Sequence, residues 1–307
     1  MLPVPDPRRM LVVHAHPDDE SIMTGATMAV YAAEGAQVSL VTCTRGERGE
    51  VINPELSELS AGDGSALGRH RERELAAAMA ELGVGDFRFL GGVGRRYRDS
   101  GMVWSGDGRR AATPDAIDPD SLWVADLRDA ANDLVPVIRA LRPHVVVTDD
   151  DNGGYGHPDH IQAHRITTYA VALAAVSGYR PDLGPAWEVP KLYWTAMPRS
   201  VVARGMDMMA ERGSSFSPLG SPDDLGYVVA DDVVTAVVDG SAHVERKTAA
   251  MRAHATQITV EPPFFALSDG IGQTIWGHEY FRLARGRPGP LNPDTGREDD
   301  LFGGLDI

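Results

Sequence analysis

Two short segments hold most of the residues able to do chemistry. His16-Pro17-Asp18-Asp19-Glu20 follows the apolar run Met10-Leu11-Val12-Val13-His14-Ala15, and Tyr155-Gly156-His157-Pro158-Asp159-His160 follows the run His144-Val145-Val146-Val147-Thr148. Two imidazoles and one carboxylate with an open position for water make a catalytic zinc set, and the same trio suits ferrous iron. His16 and Asp19 are three residues apart, within one turn of chain. His160 follows His157 by three at a helix start, so both imidazoles share one helical face. Carboxylates and a histidine are left over. Hydrolysis at a metal needs such extras, a base for the water proton and a donor for the oxyanion. Each segment alone has a plainer reading: Asp18 or Asp19 suits a helix N-cap, and Pro158 a first-turn position. Recurrence of His-Pro-Asp after two strands of one sheet favours a site.

The elements that must position these segments alternate along the chain. Strand patterns at residues 10–15, 37–42, 87–90 and 144–148 are separated by helical patterns at 21–34, 69–82 and 122–141, and a further helix starts at His157-Pro158. Gly35, Gly83 and Pro143 stand where these helices should stop. Crossovers of this length require right-handed connections and parallel pairing. The expected fold is α/β, a Rossmann-like, doubly wound, mostly parallel sheet flanked by helices, with a C-terminal α+β extension. Residues 1–185 form the expected catalytic core, and residues 186–307 an extension that packs on it and completes the substrate site, with one continuous domain as the alternative. In the extension, 191–196 and 232–239 read as strands, 241–256 as a helix, and the Gly- and Pro-rich 285–299 as a poorly ordered approach to the end. Ligands of open α/β sheets bind beyond the carboxyl ends of the strands, where strand order reverses. The first and fourth strands are expected to flank that reversal.

Composition narrows the partners. The 307 residues carry 29 basic and 44 acidic side chains, a net charge of −15, so a phosphate backbone would be repelled and nucleic acid is not an expected partner. Nearly all basic residues are arginine; Lys191 and Lys247 are the only lysines. A single cysteine, Cys43, cannot form an internal disulfide, and it reads as a small core residue. Neither a signal-peptide pattern nor a membrane-length apolar run occurs, so a cytoplasmic protein without membrane contact is expected. Common nucleotide and nucleophile signatures are missing. The loop after the first strand carries three acids where a phosphate cradle needs glycines, neither lysine follows a glycine, and no Gly-x-Ser-x-Gly occurs. His14 reads as a core or supporting histidine. His70, His144, His164, His243, His254 and His278 read as structural or surface residues.

Ala15-His16-Pro17-Asp18-Asp19-Glu20 and the downstream His157-Pro158-Asp159-His160 resemble the hallmarks of the LmbE/PIG-L-like metal-dependent N-deacetylases. Residues 42–51, 139–148 and 152–160, with Ala253-His254-Ala255-Thr256-Gln257, look like the mycothiol branch of that family. That branch holds a deacetylase acting on N-acetylglucosaminyl-inositol and a mycothiol S-conjugate amidase. The resemblance implies His16, Asp19 and His160 as ligands of one Zn2+ per chain, with Fe2+ as the alternative. It implies Asp18 as general base, Tyr155 polarising the amide carbonyl, and His157 stabilising the oxyanion while Asp159 orients it. Arg71 and Asp99 match positions that contact the sugar–inositol substrate; in a run of charged residues Arg71 also suits a solvated helix face. Residues 91–102 and Tyr155-Gly156-His157 look like the deacetylase, because the amidase tends to carry proline at position 156 and a lysine where this chain has Met23. Phe264-Phe265-Ala266 and residues 301–305 resemble the amidase instead. The expected reaction removes acetyl from N-acetylglucosaminyl-inositol, a small-molecule substrate, in mycothiol biosynthesis. The amidase, or another N-acetyl sugar deacetylase of the family, is the alternative. Two rivals differ in class: a dinuclear phosphoesterase, which would hold two metals, and a non-catalytic carbohydrate binder, which would tolerate loss of Asp18.

Overall fold

The computed structural model describes residues 7–92, 94, 96–106 and 110–307. In β1 (Arg9–His14), Met10 and Val12 enter one apolar cluster while Leu11 and Val13 enter another. Alternation with both faces buried is what a parallel strand between two helical layers requires. The helix expected over 21–34 is two, α1 (Asp19–Met23) and α2 (Gly25–Ala33), broken at Thr24. The Thr24 hydroxyl donates to the Glu20 carbonyl (3.0 Å) and lies 3.0 Å from His14 Nε2. The break exposes the N–H groups of Ala26 and Thr27, which donate to the Glu279 carboxylate at 2.9 and 2.7 Å.

β2 (Gln37–Thr42), α3 (Ser65–Leu82) and β3 (Asp86–Phe89) complete the first half. β4 (Val103–Trp104) and β5 (Ala111–Ala112) make an antiparallel ribbon within the long loop at 91–120. Val93, Arg95 and residues 107–109 of that loop, part of the branch-bearing stretch 91–102 among them, lie outside the described residues. α4 (Leu127–Leu141) starts later than expected because Asp126 caps it, accepting the Asp129 N–H at 3.0 Å. β6 (Val145–Thr148), the single turn α5 (Gly153–Gly156) and α6 (Pro158–Ala174) follow, and then β7 (Lys191–Pro198), α7 (Arg199–Arg212), β8 (Val228–Val229), β9 (Ala236–Asp239), α8 (Val244–Ala253), β10 (Thr259–Glu261), β11 (Phe264–Ala266), β12 (Gln273–Thr274) and β13 (His278–Arg285).

The main sheet runs β3-β2-β1-β6-β7-β13-β9, with β8 beside β7. Strands β3 to β7 in that order are parallel, and β13 is antiparallel to both its neighbours. β1 pairs with β2 on one side and β6 on the other, Met10 facing Val145 and Val12 facing Val147. The first and fourth strands of the sequence reading therefore flank the reversal. Residues of α2, α3 and α8 cover one face, and residues of α4 and α6 the other. Among the described residues, no helix is long and apolar enough to cross a membrane.

Segment 285–299 is not a loose approach. Glu298, fully buried, accepts hydrogen bonds from Lys191 Nζ (2.6 Å), the Tyr193 hydroxyl (2.9 Å) and the Gly289 N–H (2.6 Å), while Leu301 and Phe302 enter the core. Glycine and proline fix turns here, and the buried charges hold them. The chain's second lysine does the same elsewhere: Lys247 on α8 pairs with Glu279 of β13 at 2.8 Å, both about 4 % exposed. Lys247→Met leaves that carboxylate in the core without its cation. It is expected to lower unfolding free energy by about 3 kcal/mol, read from denaturant titration.

Candidate active site

β1 ends at His14, and the chain turns into the crevice at the reversal. Asp18 there has φ +120°, a conformation that costs a non-glycine residue energy unless its surroundings impose it. They do. The Asp18 N–H donates to Glu20 Oε2 (2.9 Å), Glu20 Oε1 contacts His254 Nε2 (2.8 Å), and the Asp18 carbonyl accepts from the N–H groups of Ser21 and Ile22. His254 and Glu20 are both fully buried, so the loop after α8 anchors the turn. Asp18 makes no side-chain cap; its carboxylate instead meets Arg71 Nη2 of α3 at 3.1 Å. Arg71 is 2 % exposed, and its guanidinium also donates to the carbonyls of Gly46 (2.8 Å) and Pro17. The solvated-face reading of Arg71 fails for that reason. Gly46 has φ +65°, and a Cβ there would lie 1.9 Å from Arg71 Nη1, so the arginine fills space that only glycine leaves open.

Asp19 lies between two imidazoles. Its Oδ2 accepts the backbone N–H of His16 (2.8 Å) and lies 3.5 Å from His16 Nδ1, while its Oδ1 lies 3.4 Å from His160 Nε2. Burial opposes the charge, but the imidazoles of His160 and His16 outweigh it and hold the Asp19 carboxyl well below its usual range. Burial instead pushes Asp18 up to about 6, against the lowering influence of Arg71.

His157 is the N-cap of α6, and Pro158 is its first residue. His157 Nδ1 accepts the N–H of Asp159 at 3.1 Å. A neutral ring so used carries its proton on Nε2, leaving that nitrogen a donor. Burial, then the charges of His16 and His160, lower the His157 pKa well below the usual value, so the ring stays neutral. Asp159 was expected to orient His157, and it reaches that ring through its backbone N–H. Its carboxylate points elsewhere, 3.2 Å from His16 Nε2 and accepting from the Ser100 N–H (2.9 Å) and hydroxyl.

Tyr155, in α5, has its ring centroid 5.6 Å from that of His160 and 6.0 Å from that of His157. Burial and the nearby carboxylates raise its phenol pKa well above the usual value, so the hydroxyl keeps its proton. Asp99 is 4 % exposed, with Oδ1 accepting the Gly101 N–H (2.8 Å) and Oδ2 that of Arg48 (3.1 Å); it lies 3.7 Å from His16 Nε2. All nine residues singled out in the sequence meet here: eight line or floor one cavity of about 790 Å³, and Asp159 lies directly behind His16. Two further residues support these side chains. Ser100 holds Asp159, and Asp149, at the end of β6, lies 3.5 Å from His160 Nδ1; only its place after a strand signalled it.

Among the described residues, donors of His16, His157 and His160, or of His16, Asp99 and Asp159, lie within 4.8 Å of one another. The first trio is weakened by the His157 tautomer, which offers no lone pair at Nε2. Asp19 lies against two of those imidazoles, 3.5 Å from His16 Nδ1 and 3.4 Å from His160 Nε2.

Gly156 has φ +93°, and a Cβ there would lie 3.0 Å from the Ala111 carbonyl oxygen. Proline, fixed near φ −65°, cannot adopt this backbone.

The family described as "PIG-L: GlcNAc-PI de-N-acetylase" matches residues 11–171. A relative from Geodermatophilus obscurus, named 1D-myo-inositol 2-acetamido-2-deoxy-alpha-D-glucopyranoside deacetylase, is 57 % identical over 300 residues, covering 97 % of this chain and 98 % of its own. The N,N'-diacetylchitobiose deacetylase of Pyrococcus horikoshii shares the fold at 20 % identity and a TM-score of 0.54, over 82 % of this chain and 71 % of that one. So does the 4-carboxy-2-hydroxymuconate hydratase GalB of Pseudomonas putida, at 18 % identity and 0.56, over 93 % and 99 %. A deacetylase and a hydratase on one architecture mean that the fold alone does not name the reaction. The matched region and the near full-length relative do settle kinship: the chain belongs to the PIG-L family of de-N-acetylases.

Proposed function

We infer that this protein is a cytoplasmic, zinc-dependent hydrolase that removes the acetyl group of N-acetylglucosaminyl-inositol, releasing glucosaminyl-inositol and acetate in mycothiol biosynthesis. The observation that carries the reading is Asp19, buried between His16 and His160 at 3.5 and 3.4 Å, with a second carboxylate, Asp18, beside it. Two imidazoles and a carboxylate fit one zinc ion, and Fe2+ takes the same donors. In this reading His16, Asp19 and His160 hold the ion. When bound, it supplies a Lewis acid that polarises the acyl carbonyl and brings the pKa of a water towards about 7.

The protein's own groups do the rest. Asp18 takes a proton from the attacking water as its oxygen adds to the acetyl carbon. The hydroxyl of Tyr155 and Nε2–H of His157 donate to the carbonyl oxygen as charge develops there. The carbon–nitrogen bond then breaks, the proton held by Asp18 passes to the departing sugar nitrogen, and acetate leaves. In this reading Asp99 and Arg48, which line the cavity, meet the sugar–inositol hydroxyls, while Arg71, carried over as a substrate contact, is engaged by the carbonyls of Gly46 and Pro17 and by Asp18. Arg71 acts through Asp18, whose carboxylate it keeps ionised. Removing that cation raises the Asp18 pKa, so Arg71→Met is expected to move the acid limb of the kcat/KM profile to higher pH.

The deacetylase is favoured over the S-conjugate amidase by the backbone at Gly156, which is closed to the proline typical of the amidase. The deciding experiment incubates zinc-loaded protein with N-acetylglucosaminyl-inositol and, separately, with a mycothiol bimane conjugate. Primary amine release is followed in both. A higher kcat/KM for the first supports the reading; a higher value for the second replaces it with the amidase, and no release from either sinks both.

A further inference from the structure

The geometry points to Asp149 as the positioning residue that holds His160 in the tautomer able to bind a metal. This rests on the reading of His160 as a ligand. His160 turns its two ring nitrogens to two different carboxylates: Nε2 lies 3.4 Å from Asp19 Oδ1, and Nδ1 lies 3.5 Å from Asp149 Oδ1. A neutral imidazole has one lone pair and one N–H. For Nε2 to offer its lone pair on the Asp19 side, the proton must sit on Nδ1, and Asp149 is the acceptor that faces it there.

Asp149 suits this task better than an ordinary surface acid. It is 3 % exposed and stands directly after β6, the strand that flanks the reversal. Among the described residues, its ion-pair partners are His160 and His14, the latter with Nδ1 3.7 Å from the same oxygen. Its other oxygen, Oδ2, is buried and has no hydrogen-bond partner among the described residues. His14 is in turn tied to Thr24, at the break between α1 and α2, by the 3.0 Å contact of its Nε2. A carboxylate placed in the core with no arginine or lysine paired to it among the described residues would be costly as mere packing. Orienting a metal-binding imidazole accounts for it, and supporting carboxylates of this kind typically contribute 10- to 100-fold in metal affinity. The neighbouring Asp150 has a different job: its Oδ1 accepts the N–H groups of Asn152 and Gly154 and shapes the turn before Tyr155.

The test measures Co2+ affinity of the full-length, metal-stripped protein by competition with a chromophoric chelator, alongside thermal unfolding of the metal-free chains. Asp149→Asn keeps the shape and removes the charge. It is expected to bind Co2+ about 10- to 100-fold more weakly, with metal-free Tm close to wild type. Asp149→Glu is expected to recover part of that loss. Should the asparagine variant fail to fold, Asp149→Ser carries the same expectation. Wild-type affinity in the uncharged variant overturns the inference, as does a fall in Tm with affinity unchanged. If wild-type protein takes up no stoichiometric Co2+, or His160→Ala binds it as tightly as wild type, the ligand assignment itself fails. That outcome is distinct from a failure at Asp149 alone.

Discussion

Asp18→Asn lowers kcat/KM by about 10²- to 10⁴-fold, the usual contribution of a positioned proton acceptor, and leaves metal content at the wild-type ratio. Asparagine matches aspartate in size but cannot take the proton of the attacking water. The surroundings of Asp18 explain why the loss should be large. Its backbone is held at φ +120° by Glu20 and His254, and Arg71 fixes its carboxylate from the other side. A base pinned this firmly delivers its proton along one path, and two carboxylates near it are engaged elsewhere: Asp19 sits against both imidazoles and Asp99 accepts two backbone N–H groups. Steady-state kinetics on amine release, with metal measured by plasma mass spectrometry, check both halves. A variant that loses activity only in proportion to its metal would remove Asp18 from the role of base.

The second large effect concerns His160→Ala. This change is expected to strip the metal and to reduce turnover by at least about 10³-fold, since the Lewis acid contributes several kcal/mol to the barrier. Asp19 and His16 would remain, but two donors rarely retain zinc against dilution and chelator. Burial works against a proton on His160, yet the carboxylates of Asp19 and Asp149 push its pKa up to about 9 in the metal-free chain. Metal must displace that proton, so wild-type affinity should strengthen as pH rises towards 9 and weaken as it falls. Dialysis equilibrium with zinc at several pH values gives the slope. Full metal occupancy in His160→Ala would overturn the ligand set.

The sequence by itself determined the alternation of strands and helices, hence the layered α/β sheet, because hydrophobic period and helix-stop residues are local properties. It also determined which residue types were available for hydrolysis and where they fell, at the ends of β1 and β6, since His-Pro-Asp recurs there without reference to anything distant. Tertiary structure decided what those residues touch. Asp159 faces His16 because Ser100 arrives from a remote loop, and Arg71 is a buried partner of Asp18 because Gly46 leaves it room. β13 escaped the sequence reading since a glutamate points into its core face. That charge is tolerable only where Lys247 and the start of α2 converge on it. Likewise, the segment at 285–299 reads as loose by composition and is ordered by Glu298 against Lys191 and Tyr193. Long-range pairs of buried polar groups leave no periodic trace along a chain, so only the folded molecule reveals them.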